Sequence, residues 1–320
     1  MLDFAGRIAV VTGGGTGMGR ELVRQLAAEG CTVAMCDVNA STMAETRRLA
    51  EAAGLPQGTR LSSHIADVGK EEDLIRFQRE VAAELDTDRI HFLFNNAGIG
   101  GGGSFLNAPR AEWERTFNIC WNGVYHSCRA FLPMLLKADR AHITNTSSVN
   151  GFWASLGPAT PHTAYSAAKF AVKGFTEALI TDLRLNAPHV TCSVVMPGHI
   201  GTAIFTNTRA VLGGDAAPSA ADLAQARARM KAAGVDPAAF SDEQIAAFMA
   251  EMGRRFETDA PTSAAEAARI ILDGVRAERW RILVGDDAHR IDEAVRAAPE
   301  SAYEPEFNHP FGFTADRPGS

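Results

Sequence analysis

The chain has 320 residues, of which 46% are hydrophobic and 22% charged, with a formal net charge of −7 at pH 7. This length allows one large α/β domain or two smaller ones, and the composition is typical of a globular protein with a sizeable core. An acidic balance argues against a nucleic-acid partner, because phosphate backbones attract basic surfaces. No apolar run reaches the roughly 18 to 20 residues of a membrane span, so we expect no membrane partner.

The N-terminal sequence and the cysteines bear on the compartment. MLDFAGRIAVVTGGG lacks the basic region, apolar stretch and cleavage site of an export signal. The cysteines show neither a C-x-x-C pair nor a His–Cys cluster with metal-ligand spacing. They are Cys31, Cys36, Cys120, Cys128 and Cys192. We therefore predict a reducing, cytoplasmic location and no metal site.

Apolar segments of strand length alternate with helical patterns through the first 200 residues. The predicted strands are 7–12, 31–37, 60–67, 89–96, 141–147 and 190–196. The predicted helices are 17–29, 41–53, 70–85, about 111–137 and 163–186. Continuous Val/Ile/Leu runs fit a parallel sheet that is covered on both faces. The alternation predicts an α/β fold, a doubly wound parallel sheet of about seven strands in which ligands lie beyond the carboxyl ends of the strands.

A glycine-rich turn, TGGGTGMG at 12–19, joins the first strand to the first helix. Gly13, Gly17 and Gly19 let the backbone turn sharply and approach a pyrophosphate, which the N-terminus of a helix favours. The spacing is G-x-x-x-G-x-G rather than the strict G-x-G-x-x-G. A tight turn without a ligand is therefore the alternative interpretation.

Residues at the ends of the next strands favour a nucleotide. Asp37 can accept hydrogen bonds from the adenosine ribose hydroxyls and would repel a 2′-phosphate. Neither 13–16 nor 38–40 contains Arg or Lys, so we predict NAD(H) rather than NADP(H). Asp67 and Val68 are candidates for the adenine edge, with a helix N-cap as the equal alternative for Asp67. At 95–98, NNAG offers small residues beside which a cofactor could lie, and its two Asn side chains could tie strand ends together.

A Ser–Tyr–Lys set follows the fifth strand. Tyr165 and Lys169 are four residues apart, so they share one face of a helix. A neighbouring ammonium group lowers the pKa of a phenol towards the range that suits acid–base catalysis. The hydroxyl of Ser148 could polarise an alcohol or carbonyl oxygen. The Y-x-x-x-K spacing is common by chance, so an ordinary helix is the favoured explanation when this stretch is taken alone.

The ordered set of motifs resembles the short-chain dehydrogenase/reductase family of Rossmann-fold oxidoreductases. The matching segments are TGGGTGMG, Asp37, Asp67 with Val68, NNAG, Ser148 before YSAAK, and MPGHIGT at 196–202. The resemblance implies that Tyr165 is the general acid/base, that Lys169 binds the nicotinamide ribose and depresses the pKa of Tyr165, and that Ser148 binds the reacting oxygen. It also implies a set of cofactor contacts: Gly13, Thr16, Gly17, Met18, Gly19, Asp37, Asp67, Val68, Asn95, Ala97, Gly98, Tyr165, Lys169, Pro197, Gly198, Ile200 and Thr202.

One departure from the family pattern lies in the helix before the serine strand. The family has an Asn three residues ahead of a Gly, where it helps to hold a proton-relay water. That position is Cys120 here. Asn118 and Asn122 lie about 200° away around an α-helix, so neither replaces it without a shift of register. The relay is built differently, the Asn is dispensable, or activity is weak.

The second departure is an insertion between Ser148 and Tyr165, which are seventeen residues apart. The extra residues fall in LGPATPH at 156–162, a loop that would lie over the substrate. The candidates to line the substrate site are Phe152, Trp153, Leu156 and His162. A solvent-facing loop histidine is an equal alternative for His162.

The remaining segments are predicted to complete a single domain, 1–320. Residues 203–260 are Ala-rich and helical and are expected to form a substrate lid, in which Ile204, Phe205, Met249 and Phe256 either line an apolar pocket or pack against the domain. A helix at 262–277 and a seventh strand with its turn at 279–288 follow. The C-terminal tail, 297–320, is expected to wrap a neighbouring subunit or to fray.

These patterns predict an NAD-dependent oxidoreductase that interconverts a secondary alcohol and a ketone, its substrate apolar or cyclic. One alternative is a reductase of the same fold that works towards the alcohol. The other is a Rossmann-fold NAD-binding or regulatory protein with weak or no catalysis, which Cys120 favours and the intact Ser–Tyr–Lys set disfavours. The resemblance further implies a homotetramer or homodimer, formed through 111–137 and 163–186.

Overall fold

The computed structural model describes residues 2–156, 160–213, 218, 220–232, 234–304 and 307. The strands of its main sheet are β1 Ile8–Thr12, β2 Thr32–Asp37, β3 Leu61–Ile65, β4 Phe92–Asn95, β5 Ala141–Thr146, β6 Val190–Pro197 and β9 Arg281–Val284. All seven pair in parallel in the order β3-β2-β1-β4-β5-β6-β9. Two short strands, β7 Ile200–Gly201 and β8 Thr262–Ser263, pair separately. The predicted doubly wound, Rossmann-like fold is confirmed.

Helices cover both faces of the sheet. They are α1 Gly17–Ala28, α2 Ala40–Ala52, α3 Glu71–Leu85, α4 Arg110–Phe117, α5 Gly123–Leu135, α6 Thr163–Asn186, α7 Ile204–Val211, α8 Ala220–Ala232, α9 Asp242–Thr258, α10 Ala264–Arg276 and α11 Asp286–Ala297. The seventh strand predicted within 279–288 is present as β9, and the chain turns at Gly285, which takes a φ of 96°, before α11 begins at the next residue. The sequence analysis did not predict α11.

The strands supply side chains alternately to two cores. Ala9 and Val11 of β1 face the core that α1, α2 and α10 cover, whereas Val10 faces the core under α3, α5 and α6. Successive side chains of a strand point to opposite faces, so a strand that is buried on both faces must be apolar throughout. This requirement explains the continuous apolar runs in the sequence.

The direction of winding reverses between β1 and β4, which are neighbours in the sheet. At this switch point the crossovers run to opposite faces, which leaves a crevice beyond the carboxyl ends of the two strands. The hydroxyl of Thr12, the last residue of β1, accepts hydrogen bonds from the backbone N–H groups of Asn96 and Ala97 at 3.0 and 3.1 Å. The loops that follow β1 and β4 are thereby held together.

All five cysteines are buried and free. Burial raises the pKa of Cys128 and of Cys192 to about 12, so both thiols stay protonated at neutral pH. Over the described ranges, no three His, Cys, Asp or Glu side chains are grouped as metal ligands. In the same part of the chain, no helix has the length and apolar character needed to cross a membrane.

A substitution at Phe131 of α5 tests whether the larger core is assigned correctly. Phe131 is fully buried and meets Phe77 of α3 edge-on, with ring centroids 5.3 Å apart. We expect Phe131→Ala to lower the free energy of unfolding by about 3–5 kcal/mol through lost burial and a residual cavity, as measured by denaturant unfolding. Phe248→Ala, at a 59% exposed position, should change it by less than about 0.5 kcal/mol. Equal effects of the two substitutions would contradict this assignment of the core.

Candidate active site

The loop between β1 and α1 has no room for side chains at its glycines. Gly13 has a φ of 68°, and a Cβ on it would lie 2.9 Å from the Cα of Ala97. A Cβ on Gly19 would overlap the carbonyl oxygen of Gly13, and one on Gly17 would lie 3.1 Å from Cγ2 of Thr202. The missing side chains let the loop pack closely while the N–H groups at the start of α1 stay at the crevice, an arrangement that suits an anionic group.

Asp37 lies directly beside the glycine loop, as its place at the end of β2 suggested. Its carboxylate accepts hydrogen bonds from the N–H of Gly15 at 3.0 Å and of Asn39 at 3.2 Å, while burial raises its pKa. The guanidinium of Arg20 donates to the carbonyl oxygen of Gly15 at 2.7 and 3.1 Å and opposes that rise in pKa. The sequence analysis missed Arg20, although its position one turn into α1 after the glycine loop was the available signal.

Asn95, the last residue of β4, and Asn96, which follows it, tie strand ends together, as predicted. Asn95 donates to the side-chain oxygen of Asn145 in β5 at 2.8 Å, and Asn96 donates to the carbonyl oxygen of Thr12 at 3.2 Å. Three neighbouring strands are thereby held in register at the edge of the sheet that carries the candidate site.

Asp67 is held by a partner that the sequence analysis did not identify. Arg115 of α4 donates to its carboxylate at 2.6 Å, and the N–H of Gly69 does so at 3.0 Å. The N-cap position of α3 is occupied by Lys70, so the N-cap interpretation of Asp67 is wrong. Val68 is buried, and its Cγ2 would lie 2.8 Å from a Cβ on Gly123.

Ser148, Tyr165 and Lys169 come together at the carboxyl end of β5. The side chain of Ser148 lies close enough to Tyr165 to lower the pKa of the phenol. The Nζ of Lys169 lies 5.3 Å from the centroid of the Tyr165 ring and donates to the carbonyl oxygen of Thr146 at 2.8 Å. Ser147 donates to the carbonyl oxygen of Lys169 at 2.7 Å. The fifth strand and α6 are thus joined where the three side chains meet.

The electrostatics of this set differ from the expectation that Lys169 depresses the pKa of Tyr165. Burial raises the pKa of Tyr165 well above its usual value, Cys120 adds to the rise, and the side chain of Ser148 opposes it. Burial also lowers the pKa of Lys169. Desolvation penalises each charged form, so the chain by itself favours a protonated Tyr165 at neutral pH.

Cys120 lies in a single π-helical turn, Asn118–Asn122, between α4 and α5. Its buried thiol donates to the carbonyl oxygen of Ile99 at 3.2 Å. A Cβ on Gly98 would lie 3.5 Å from the Nζ of Lys169 and 3.7 Å from the Sγ of Cys120, so the thiol and the ammonium group border the same space. Such turns occur frequently at functional sites.

The π turn does not bring either flanking Asn into the place of Cys120. Asn122 donates to the side-chain oxygen of Asn118 at 2.7 Å, and Asn118 donates to the carbonyl oxygen of Gly69 at 2.8 Å. Both side-chain amides are therefore engaged in the turn itself and in the loop after β3, whereas Cys120 borders the space beside Lys169.

The segment after β6 is fixed by an element that the sequence analysis missed, the first turn of α11. Asp287 is buried and accepts a hydrogen bond from the N–H of His199 at 2.6 Å. The N–H of Gly198 donates to the carbonyl oxygen of Val284 at 3.0 Å. Pro197 and Gly198 are thus held at the edge of the sheet. Further along the same segment, Thr202 lies beside Gly17 of the glycine loop.

The residues suggested to line the substrate site divide into different environments. The ring of His162 is partly exposed and lies 4.6 Å from that of Tyr165, which favours the lining role. Trp153 is only 1% exposed, and its indole N–H donates to the carbonyl oxygen of Ala302 at 2.7 Å. The prediction that Trp153 lines the substrate site is therefore wrong. Phe152 and Leu156 are partly buried, whereas 157–159 of the insertion lie outside the described residues.

The segment 203–260 is helical over much of its described part and contacts two loops of the site. Asn207 of α7 donates to the hydroxyl of Thr16 at 2.8 Å, and Thr208 accepts from the N–H of Gly100 at 2.8 Å. Phe205 and Phe256 meet edge-on at 4.6 Å. Within this segment, 214–217, 219 and 233 lie outside the described residues, as do 308–320 of the C-terminal tail.

The fold and the motifs at its edge are those of a Rossmann-type oxidoreductase, and comparisons with known proteins give the family. The model of the short chain dehydrogenase family matches residues 7–212. SadH of Mycobacterium tuberculosis is 32% identical over 296 residues, 92% of each chain. This protein belongs to the short-chain dehydrogenase/reductase family and is an oxidoreductase of that family.

Two solved structures of the family show the same fold. A short chain dehydrogenase/reductase from Burkholderia phymatum in complex with NAD matches with a TM-score of 0.74 and 28% identity, over 94% of this chain and 95% of its own. A metagenomic short-chain oxidoreductase in complex with NADP matches with a TM-score of 0.53 and 31% identity, over 61% of this chain and 83% of its own. Relatives of this chain therefore include complexes with either nucleotide.

Gly19 tests the glycine loop. We expect Gly19→Ala to weaken binding of a nicotinamide nucleotide by about tenfold or more, because overpacking of about 1–3 kcal/mol must displace the loop. Isothermal titration calorimetry measures this. Gly253→Ala in α9 is the matched control, because a Cβ there meets nothing within 4 Å. Unchanged affinity in Gly19→Ala, or an equal loss in both variants, would contradict the role of this loop.

Proposed function

We propose that this protein is an NAD-dependent dehydrogenase that interconverts a secondary alcohol and the matching ketone. The observation that carries the proposal is that the buried ammonium group of Lys169 lies 5.3 Å from the centroid of the Tyr165 ring, with Ser148 beside the phenol at the carboxyl end of β5. Two hydroxyl groups that meet at the mouth of a crevice can hold one substrate oxygen between them. A phenol in that position can exchange a proton with the oxygen.

The crevice fits a dinucleotide. Gly13, Gly17 and Gly19 leave the start of α1 clear for the pyrophosphate, and the carboxylate of Asp37 suits the adenosine ribose. Thr16, Met18, Asp67, Val68, Asn95, Ala97, Gly98, Pro197, Gly198, Ile200 and Thr202 complete the proposed contacts, together with Tyr165 and Lys169. The bound nicotinamide supplies or accepts the hydride.

Tyr165 is the proposed general acid and base of the reaction. In reduction its hydroxyl donates a proton to the substrate oxygen, while Ser148 holds that oxygen by a hydrogen bond. In oxidation the phenolate takes the proton from the alcohol, and positive charge in the site stabilises the phenolate. Since burial raises the pKa of Tyr165, the chain alone favours the acid form, and oxidation depends more on added positive charge or high pH.

An apolar substrate is supported by the side chains near the open side of the crevice. Ile204 of α7 would lie 3.9 Å from a Cβ on Gly100, and Leu212 would contact one on Gly101. Phe205 is 46% exposed and packs against Phe256. We propose that α7, α8 and α9 form a lid whose inner surface is mainly apolar.

Tyr165→Phe tests the acid–base role. The variant should lose at least about 10²–10⁴-fold in kcat, the usual contribution of a positioned acid or base, and should bind NAD nearly as wild type does. NADH formation from a panel of sterols, terpenols and aryl alcohols measures turnover, and calorimetry measures binding. Tyr125→Phe, on a 40% exposed tyrosine of α5, is the control. Full activity of Tyr165→Phe would refute the mechanism.

Asp37 tests the choice of cofactor. We expect kcat/KM to favour NAD over NADP by about 10²-fold or more, because close like charges cost several kcal/mol. Asp37→Ser should reduce this preference, whereas Asp88→Ser, an exposed position before β4, should leave it unchanged. Steady-state kinetics with both nucleotides provides the values. Equal kcat/KM for NAD and NADP in the wild type would remove the role given to Asp37.

A second candidate function is an NAD-binding or regulatory protein with weak or no catalysis. Its support is Cys120, whose thiol stands beside Lys169 where the family has an Asn. Nucleotide binding without turnover of any alcohol or ketone in the panel would favour it.

We also propose that the protein assembles as a homotetramer or homodimer through α5 and α6, which expose Tyr125 and Phe170.

A further inference from the structure

We propose that the C-terminal segment 299–303 is a positioning element for the active site, holding the loop that carries Ser148. This inference rests on the proposed function for its kinetic consequences. The structural part of the inference, that the segment holds the conformation of this loop, does not depend on the proposed function. The segment lies more than 140 residues from Ser148 in sequence, yet hydrogen bonds and buried side chains connect the two.

The connection starts at Ser148 itself. Its Oγ accepts a hydrogen bond from the N–H of Asn150 at 3.1 Å. The side chain of Asn150, which is only 4% exposed, donates to the carbonyl oxygens of Trp153 at 3.0 Å and Ser155 at 2.9 Å. These bonds fold 148–155 into a compact turn, so its conformation determines where the Ser148 hydroxyl lies.

The C-terminal segment holds the far side of this turn. The indole N–H of Trp153 donates to the carbonyl oxygen of Ala302 at 2.7 Å, and the N–H of Ala154 donates to the hydroxyl of Tyr303 at 3.0 Å. Trp153 is 1% exposed and Ala302 is 2% exposed. A buried indole N–H without an acceptor would carry the full cost of desolvation, so the turn depends on the segment for its stability.

The segment is in turn anchored to the sheet through α11. Val149 and Trp153 share a small core with Ile291 of α11 and Ala302. Arg281 of β9 donates to Asp292 of α11 at 3.0 Å, and its guanidinium lies 5.8 Å from the Phe152 ring. The segment is therefore joined to the edge strand of the sheet, which gives it a fixed base from which to position the serine loop.

Ala302→Asp separates the segment from the turn without changing any residue of the turn, because a carboxylate cannot remain in that buried core unpaired. Ala298→Asp is the matched control at an exposed position in the same region. Trp153→Phe removes the indole donor together with part of the ring, and Trp280→Phe repeats that change at a 47% exposed site. Each variant is made in the full chain.

Hydrogen exchange and kinetics report the result. We expect Ala302→Asp and Trp153→Phe to raise amide exchange at 150–154 by about tenfold and to lower kcat/KM for the alcohol by a similar factor. The NAD dissociation constant should stay within about twofold, because the hydrogen bonds of the segment go to Trp153 and Ala154, neither of which is a proposed cofactor contact. Both controls should match the wild type.

Unchanged exchange at 150–154 in Trp153→Phe would overturn the proposal, even if Ala302→Asp failed to fold. Faster exchange with unchanged kcat/KM would overturn the positioning role. If the wild type turned over no substrate at all, the proposed function would fail. The exchange data would still show whether the segment holds the conformation of the serine loop.

Discussion

Parallel pairing of the strands forces their carboxyl ends to one edge of the sheet, and every other feature of the candidate site depends on that constraint. The glycine loop, Asp37, NNAG, Ser148 and Pro197 are spread over more than 180 residues. Each follows a strand of the same sheet, so folding gathers them at one crevice. Cross-strand bonds such as that of Asn95 with Asn145 then hold the strand ends in register.

Burial at this edge gives the Ser–Tyr–Lys set its chemistry. Burial penalises the charged form of Tyr165 and of Lys169, so the pKa of the phenol rises while the pKa of the ammonium group falls. The carbonyl oxygen of Thr146 and the hydroxyl of Ser148 partly offset that penalty. Charge added by a bound nucleotide would therefore change the balance between the charged and neutral forms of these two groups.

The predictions that succeeded depended on local pattern. Continuous apolar runs predicted the strands, because a strand buried on both faces has no place for polar side chains. The glycines at 13, 17 and 19 predicted a close-packed loop, since only glycine fits there. The predictions for Trp153 and for the N-cap role of Asp67 failed because their partners, Ala302 and Arg115, are distant in sequence.

The sequence by itself determined the order of strands and helices, the family resemblance, and the residue types at each strand end. These properties follow from periodicity and spacing, which are local. Only the tertiary structure decided that Cys120 borders Lys169, that Arg115 holds Asp67, and that the C-terminal segment supports the serine loop. Such contacts depend on which surfaces meet when helices pack on the sheet. The spacing of residues along the chain does not reveal which distant side chains come together in this way.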